Sequence, residues 1–270
     1  MATTTKATEI DGTHGRLAVH RWESDAASFV AVLVHGYGEH AGRYGHVAEA
    51  LVDGGAAVYA GDHLGHGRSE GERALIDDME DLVTDTAGVV GAARAEHPGL
   101  PVVMIGHSLG GIVATRYAQR PDHGLAALVL SAPVVGGNPD LLGMVHLPEI
   151  PDIPIDTEWL SRDPETGRQY AEDELVWHGP FKRATLQAIV ASIDAVATGG
   201  DLGDLPTLWI HGEEDPLAPI AHAAPALERI RGTAFEERRY PGARHELFNE
   251  TNRDEIIAGV VAFIEQALVR

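Results

Sequence analysis

Along this chain of 270 residues, short apolar runs alternate with longer amphipathic stretches. The runs at 16–22 (RLAVHRW), 29–35 (FVAVLVH), 56–62 (AAVYAGD), 102–107 (VVMIGH), 125–131 (LAALVLS), 207–212 (TLWIHG) and 234–240 (AFEERRY) read as strands. Several are continuous rather than alternating, as expected of strands covered on both faces. Stretches near 40–53, 78–97, 109–120, 219–231 and 253–269 carry helical spacing. Strand, helix, strand, repeated in this way, predicts the α/β class: a mostly parallel central sheet flanked by helices. The rhythm breaks over 135–198. There Pro148, Pro151 and Pro154 forbid a continuous helix. Yet Leu141, Leu142, Met144, Ile153, Trp159 and Trp177 are too many large apolar side chains for a disordered linker. The pattern predicts a cap (135–198) inserted into one core built from 1–134 and 199–270.

Composition narrows the function classes. The chain holds 20 basic and 41 acidic residues, a formal net charge of −21, which repels nucleic acid and anionic membrane surfaces. It has no cysteine, which removes disulfides, thiolate metal sites and a cysteine nucleophile. No apolar stretch reaches the roughly 18 residues of a spanning helix. The first residues, MATTTKATEIDGTHG, show neither a basic region nor an apolar block. A soluble, cytoplasmic protein is expected.

Within VVMIGHSLGGIVATRYAQ (102–119), GHSLG fits G-x-S-x-G between a strand and a helix. In that setting the serine hydroxyl is lifted above the carboxyl ends of the strands. With seven serines and 31 glycines, a bare match arises by chance in about one such sequence in ten. The strand before and the helix after make Ser108 a candidate nucleophile. A serine needs a base, and the base needs an orienting acid. Glu213, Glu214 and Asp215 follow the strand 207–212, and His245 follows 234–240. Asp215 fits best because Pro216 fixes the chain just after it, while spacing alone leaves Glu214 open. His222 sits inside a helix pattern, and His35, His40, His63 and His66 lack a metal-binding arrangement, so loop packing is expected of them. Acyl transfer also requires two N–H donors for the oxyanion. The amide of Leu109 is the first, and the amide of Tyr37, in the loop HGYGEHAGRY, the second.

The stretches HGYGEHAGRYGHVAEAL, GDHLGHGRSEGER, GHSLGG, SRDPETGRQYAEDELVWHG, LWIHGEEDPLAP and YPGARHELFNE together resemble the monoacylglycerol lipase family, also known as lysophospholipases, of serine α/β-hydrolases. The resemblance spans roughly 13–269 and includes the cap. It implies an α/β-hydrolase fold, the triad Ser108, Asp215 and His245, and the amides of Tyr37 and Leu109 as oxyanion hole. It further implies that Glu39 and Arg43 help build the polar end of a substrate pocket that also takes in His107 and Phe248, the alternative for Glu39 and Arg43 being a structural pair at i, i+4 spacing; Phe248 departs from the pattern, standing where some vertebrate relatives carry a polar histidine, which leaves head-group selectivity open. The implied activity is cofactor-free hydrolysis of monoacylglycerols or similar lipid esters, without a metal and with weak peripheral membrane contact through the cap. Broader carboxylesterase, lysophospholipase, perhydrolase or acyltransferase activity, and non-catalytic ligand binding, are the alternatives.

Overall fold

The computed structural model describes residues 5–24 and 26–269. Eight strands form one sheet: β1 (Thr5–Asp11), β2 (Arg16–Trp22), β3 (Phe29–Val34), β4 (Ala56–Gly61), β5 (Val102–His107), β6 (Leu125–Ser131), β7 (Thr207–Gly212) and β8 (Phe235–Tyr240). Their spatial order is β1-β2-β4-β3-β5-β6-β7-β8. The β1/β2 and β2/β4 pairs are antiparallel and the rest are parallel. The helices are α1 (Gly45–Asp53), α2 (Met79–Glu96), α3 (Leu109–Ala118), the single turn α4 (Pro139–Leu142), α5 (Pro164–Glu172), α6 (Arg183–Thr198), α7 (Ile220–Ile230) and α8 (Arg253–Val269).

The continuous apolar runs have a simple cause. In β3, Val30, Val32 and Val34 face a layer containing α2, α3, α6 and α7, whereas Ala31 and Leu33 face α1 and α8. Every position is therefore buried, and the strand loses its polar alternation. The same division holds for Met104 and Ile105 of β5 and for Leu128 and Val129 of β6. β8 lies at the sheet edge, and its charged FEERRY stretch discourages further strand pairing.

One strand escapes the sequence reading. β1, TKATEID, pairs along its full length with β2 through a tight turn in which Gly12 N–H donates to Gly15 O at 2.8 Å. It is an edge strand with little apolar surface, so no hydrophobic signal announces it. Between β6 and β7 there is no strand among the described residues. The proline run 148–154 is irregular, with Ile153 N–H donating to Pro151 O at 3.0 Å, α5 starts at Pro164 after Asp163, whose carboxylate accepts from Glu165 N–H at 3.0 Å, and α6 packs on α3. No helix among the described residues is long and apolar enough to cross a membrane.

Candidate active site

Ser108 occupies the junction of β5 and α3 with φ +54° and ψ −119°, a conformation rarely adopted by residues with a side chain. The turn is held because α3 lies directly against the sheet. A Cβ on Gly110 would stand 2.1 Å from the Val34 carbonyl oxygen, so only glycine permits that approach. Ser108 N–H donates to Ser131 O at 3.0 Å, and Ser108 O accepts from Gly111 N–H at 2.9 Å. Sequence and strain together leave the hydroxyl at the carboxyl end of the central strand.

His245, beyond β8, brings Nε2 to 2.8 Å from Ser108 Oγ, and its Nδ1–H donates to Asp215 Oδ2 at 2.8 Å. The second Asp215 oxygen, Oδ1, accepts from Leu217 N–H and Ala218 N–H, each at 2.9 Å. Burial pushes the Asp215 pKa up, but the His245 charge and hydrogen bonds from His211 and His245 outweigh it and hold the carboxyl well below the usual range. Burial lowers the His245 pKa, yet the Asp215 charge and hydrogen bond raise it above the ordinary histidine value on balance. Glu213 and Glu214 are exposed, because the turn directs only the third carboxylate inward. His222 is exposed on α7.

Ser108 lines a cleft. Its walls are mainly aliphatic, including Ile112, Leu142, Ile155, Leu160 and Leu186, and one end is polar, with Glu39, His107 and Glu246. Tyr37 and Leu109 line the same cleft. The Tyr37 loop lies tight against the serine: a Cβ on Gly36 would be 3.1 Å from Ser108 Cβ. Gly36 N–H donates to Glu39 Oε1 at 2.7 Å, which pins that loop from within.

The four pocket residues implied by resemblance separate. Glu39 and His107 reach the cleft. Burial, then the His245 charge, pushes the His107 pKa down to about 4, so its ring is neutral at pH 7. Arg43 stands behind the wall, where it donates to Glu39 Oε2 at 2.8 Å and bidentately to Glu246 at 2.7 Å. Phe248 is a correction: the helical turn Leu247–Asn249 points its ring into the core beside α1 and α8, edge-on to Tyr44, away from the cleft. Glu246, which the sequence reading did not single out, takes a place at the polar end. Burial raises its pKa, but the Arg43 charge and hydrogen bonds prevail and hold it below the usual range. Its only sequence signal is a carboxylate directly after His245.

His35 and His63 bond each other, His63 N–H to His35 Nε2 and His63 Nε2–H to His35 O, both at 3.0 Å. Among the described residues no cluster of His, Cys, Asp and Glu is disposed to hold a metal ion.

The segment between β6 and β7 is hydrogen-bonded to three of the loops that carry the candidate site. Asn138 Nδ2 donates to Pro216 O at 2.9 Å, in the Asp215 turn. Glu246 N–H donates to Leu160 O at 2.7 Å, beside His245. Trp177 N–H donates to Gly38 O at 2.7 Å, and His40 Nε2–H to Asp173 Oδ2 at 2.8 Å, on the Tyr37 loop.

Comparison with known proteins places this geometry among relatives. Residues 25–252 match the family described as Serine aminopeptidase, S33. The chain is 36% identical to monoacylglycerol lipase of Mycolicibacterium smegmatis over 244 residues, 87% of each protein. It is 33% identical to monoglyceride lipase of Homo sapiens over 242 residues, 85% of this chain and 79% of the human one. Among solved structures, monoacylglycerol lipase of Paleococcus ferrophilus aligns with a TM-score of 0.78 at 26% identity, covering 92% of this chain and 99% of that one. A soluble variant of monoglyceride lipase from Saccharomyces cerevisiae, in complex with a substrate analog, aligns at 0.85 and 17% identity over 99% and 96%, a likeness of fold.

Proposed function

This chain belongs to the serine aminopeptidase S33 family of α/β-hydrolases and, within it, to the monoacylglycerol lipase group, and from that premise we propose that it hydrolyses monoacylglycerols to fatty acid and glycerol through an acyl-enzyme. The observation that carries the reading is the unbroken hydrogen-bonded line Ser108–His245–Asp215 beside an aliphatic cleft.

Ser108 Oγ attacks the ester carbonyl carbon as its proton passes to His245 Nε2. The carbonyl oxygen becomes an oxyanion that takes hydrogen bonds from the amides of Leu109 and Tyr37. When the C–O bond breaks, glycerol leaves with the proton held by His245. A water then gives its proton to His245 and attacks the acyl-enzyme, which restores the serine and frees the fatty acid. Asp215 stays ionised throughout and holds the imidazole in the tautomer that accepts at Nε2.

Residues 135–198 act as the cap in this reading. Leu142, Ile155 and Leu160 line the acyl side of the cleft, while the exposed Leu147, Ile153 and Trp159 offer a weak apolar contact to a lipid surface. A cytoplasmic location belongs to the same reading. At the polar end, two carboxylates face one guanidinium. That net negative charge favours an uncharged glycerol headgroup over a phosphodiester.

The test is fatty-acid release from mono-, di- and triacylglycerols and lysophosphatidylcholine, with Ser108→Ala alongside. Monoacylglycerol is expected to be preferred, and Ser108→Ala to lose about 10⁵-fold in kcat. Equal rates on lysophosphatidylcholine would overturn the substrate class, and full activity of Ser108→Ala would overturn the mechanism.

A further inference from the structure

Asp215 has one neighbour that the triad does not use. His211, near the end of β7, is fully buried. Its Nε2 lies 2.7 Å from Ala218 O and 3.4 Å from Asp215 Oδ2. Its other ring nitrogen, Nδ1, stands 3.0 Å from Trp209 Nε1. An indole N–H can only donate, so Nδ1 must offer a lone pair and His211 is the neutral Nε2–H tautomer. That single proton is directed at the Ala218 carbonyl, and the positive edge of the ring lies against the carboxylate. Protonation of His211 would set two N–H donors, His211 Nδ1 and Trp209 Nε1, against each other.

The turn 215–218 is therefore closed from two sides. Asp215 Oδ1 accepts from the amides of Leu217 and Ala218, and His211 holds the carbonyl of Ala218. With both in place, the carboxylate has one orientation, in which Oδ2 meets His245 Nδ1.

We propose that Trp209 and His211 form a positioning relay behind the triad: the indole fixes the His211 tautomer, and the imidazole fixes the Asp215 turn and donates partial positive charge to Oδ2. Neither residue touches substrate. Trp209 acts through His211, and His211 through Asp215. The relay keeps the carboxylate aligned on His245, while the neutral His211 draws off only part of its negative charge.

The inference rests on Asp215 as the triad acid, and its test keeps the two apart. kcat and KM for a water-soluble monoester are measured against pH for the wild type, His211→Leu, His211→Gln, Trp209→Phe and Ser108→Ala, with the melting temperature of each. His211→Leu is expected to lose about 10- to 100-fold in kcat, the loss associated with small misplacements of reacting groups, at nearly constant KM. Its acid limb, set by His245, moves to higher pH because the carboxylate loses a donor and holds the imidazolium more strongly. His211→Gln, whose amide N–H reaches the same carbonyl, recovers most of the loss. Trp209→Phe shows a smaller fall in kcat, since the tautomer is released while the ring is kept. The relay is overturned if folded His211→Leu keeps wild-type kcat and acid limb, or if His211→Gln is as impaired as His211→Leu. Should His211→Leu not fold, a Trp209→Phe enzyme with wild-type kcat overturns it. Wild-type activity in Ser108→Ala instead overturns the triad.

Discussion

Arg43 carries more of the structure than its distance from the reacting atoms suggests. Its guanidinium bonds Glu39 at 2.8 Å and both oxygens of Glu246 at 2.7 Å, with the arginine side chain 10% exposed and each carboxylate 5%. Tyr170 covers the remaining face, with the guanidinium carbon 5.1 Å from the ring centroid. Arg43→Met keeps the volume and leaves two buried carboxylates without a counter-charge. Removing one partner of a buried pair costs about 3–5 kcal/mol. At about 2–4 °C per kcal/mol for a domain of this size, the melting temperature should fall by about 10 °C at pH 7. The pH dependence has a definite sign. In the wild type Glu246 is held below its usual pKa, so its contribution is present above the unfolded value and lost as pH falls through the folded one. Without Arg43 its folded pKa rises above the unfolded value, so stability is regained as pH falls, and the deficit at pH 5 should be smaller than at pH 7. The triple variant Arg43→Met/Glu39→Gln/Glu246→Gln removes every charge and should recover most of the loss, since neutral groups can replace a buried ion triad at little cost. Thermal unfolding followed by circular dichroism at both pH values is the assay. A single variant melting within about 2 °C of wild type, or a triple variant no more stable than the single, would refute the reasoning.

Two further outcomes are expected. Burial pushes the pKa of His66 down to about 3 and that of His107 to about 4. Each is neutral in the fold and charged in the unfolded chain below about pH 6.5, so each removes about 1.4 kcal/mol per pH unit as pH falls from there, against one opposing contribution from the raised His245. The urea midpoint should drop steeply between about pH 6.5 and 4, and a flat profile would contradict the buried neutral histidines. Gly110→Ala drives a methyl to 2.1 Å from Val34 O and 2.5 Å from His35 O, and should cost about 3 kcal/mol together with most of the activity. A urea midpoint equal to wild type would rule out that contact.

How much of this the sequence disclosed depended on what each residue is buried against. β3 and β5 were legible because both faces of the sheet are covered and every position is apolar. β1 was not, because an edge strand paired only with β2 is held by backbone partners and brings little apolar surface, Ile10, to the core. The turn at Ser108 was readable from its glycines, and of the carboxylates after β7 only Asp215 is buried, while Glu214 is exposed. Phe248 misled because three residues after a loop histidine is a distance along the chain, while a helical turn decides which way the ring points. His211 and Glu246 gave little warning for the same reason: loop and strand-end geometry, not periodicity, aims their side chains.

The bonds from Asn138, Leu160 and Trp177 to the loops carrying Asp215, His245 and Tyr37 bear on how such a protein diversifies. Between these anchors lie 139–159 and 161–176, stretches whose side chains shape the cleft and its mouth. Two of the anchors are backbone groups, which most substitutions leave intact. Mutations there that spare Asp173 can accumulate and alter which esters fit, while the loops carrying Asp215, His245 and Tyr37 keep their tethers. Selection for new substrates and selection for rate thus act on different parts of one gene. A chimera that borrows this stretch from a relative inherits a working enzyme only if the graft respects the anchors, Asn138 and Asp173 above all, because their bonds are made by side chains.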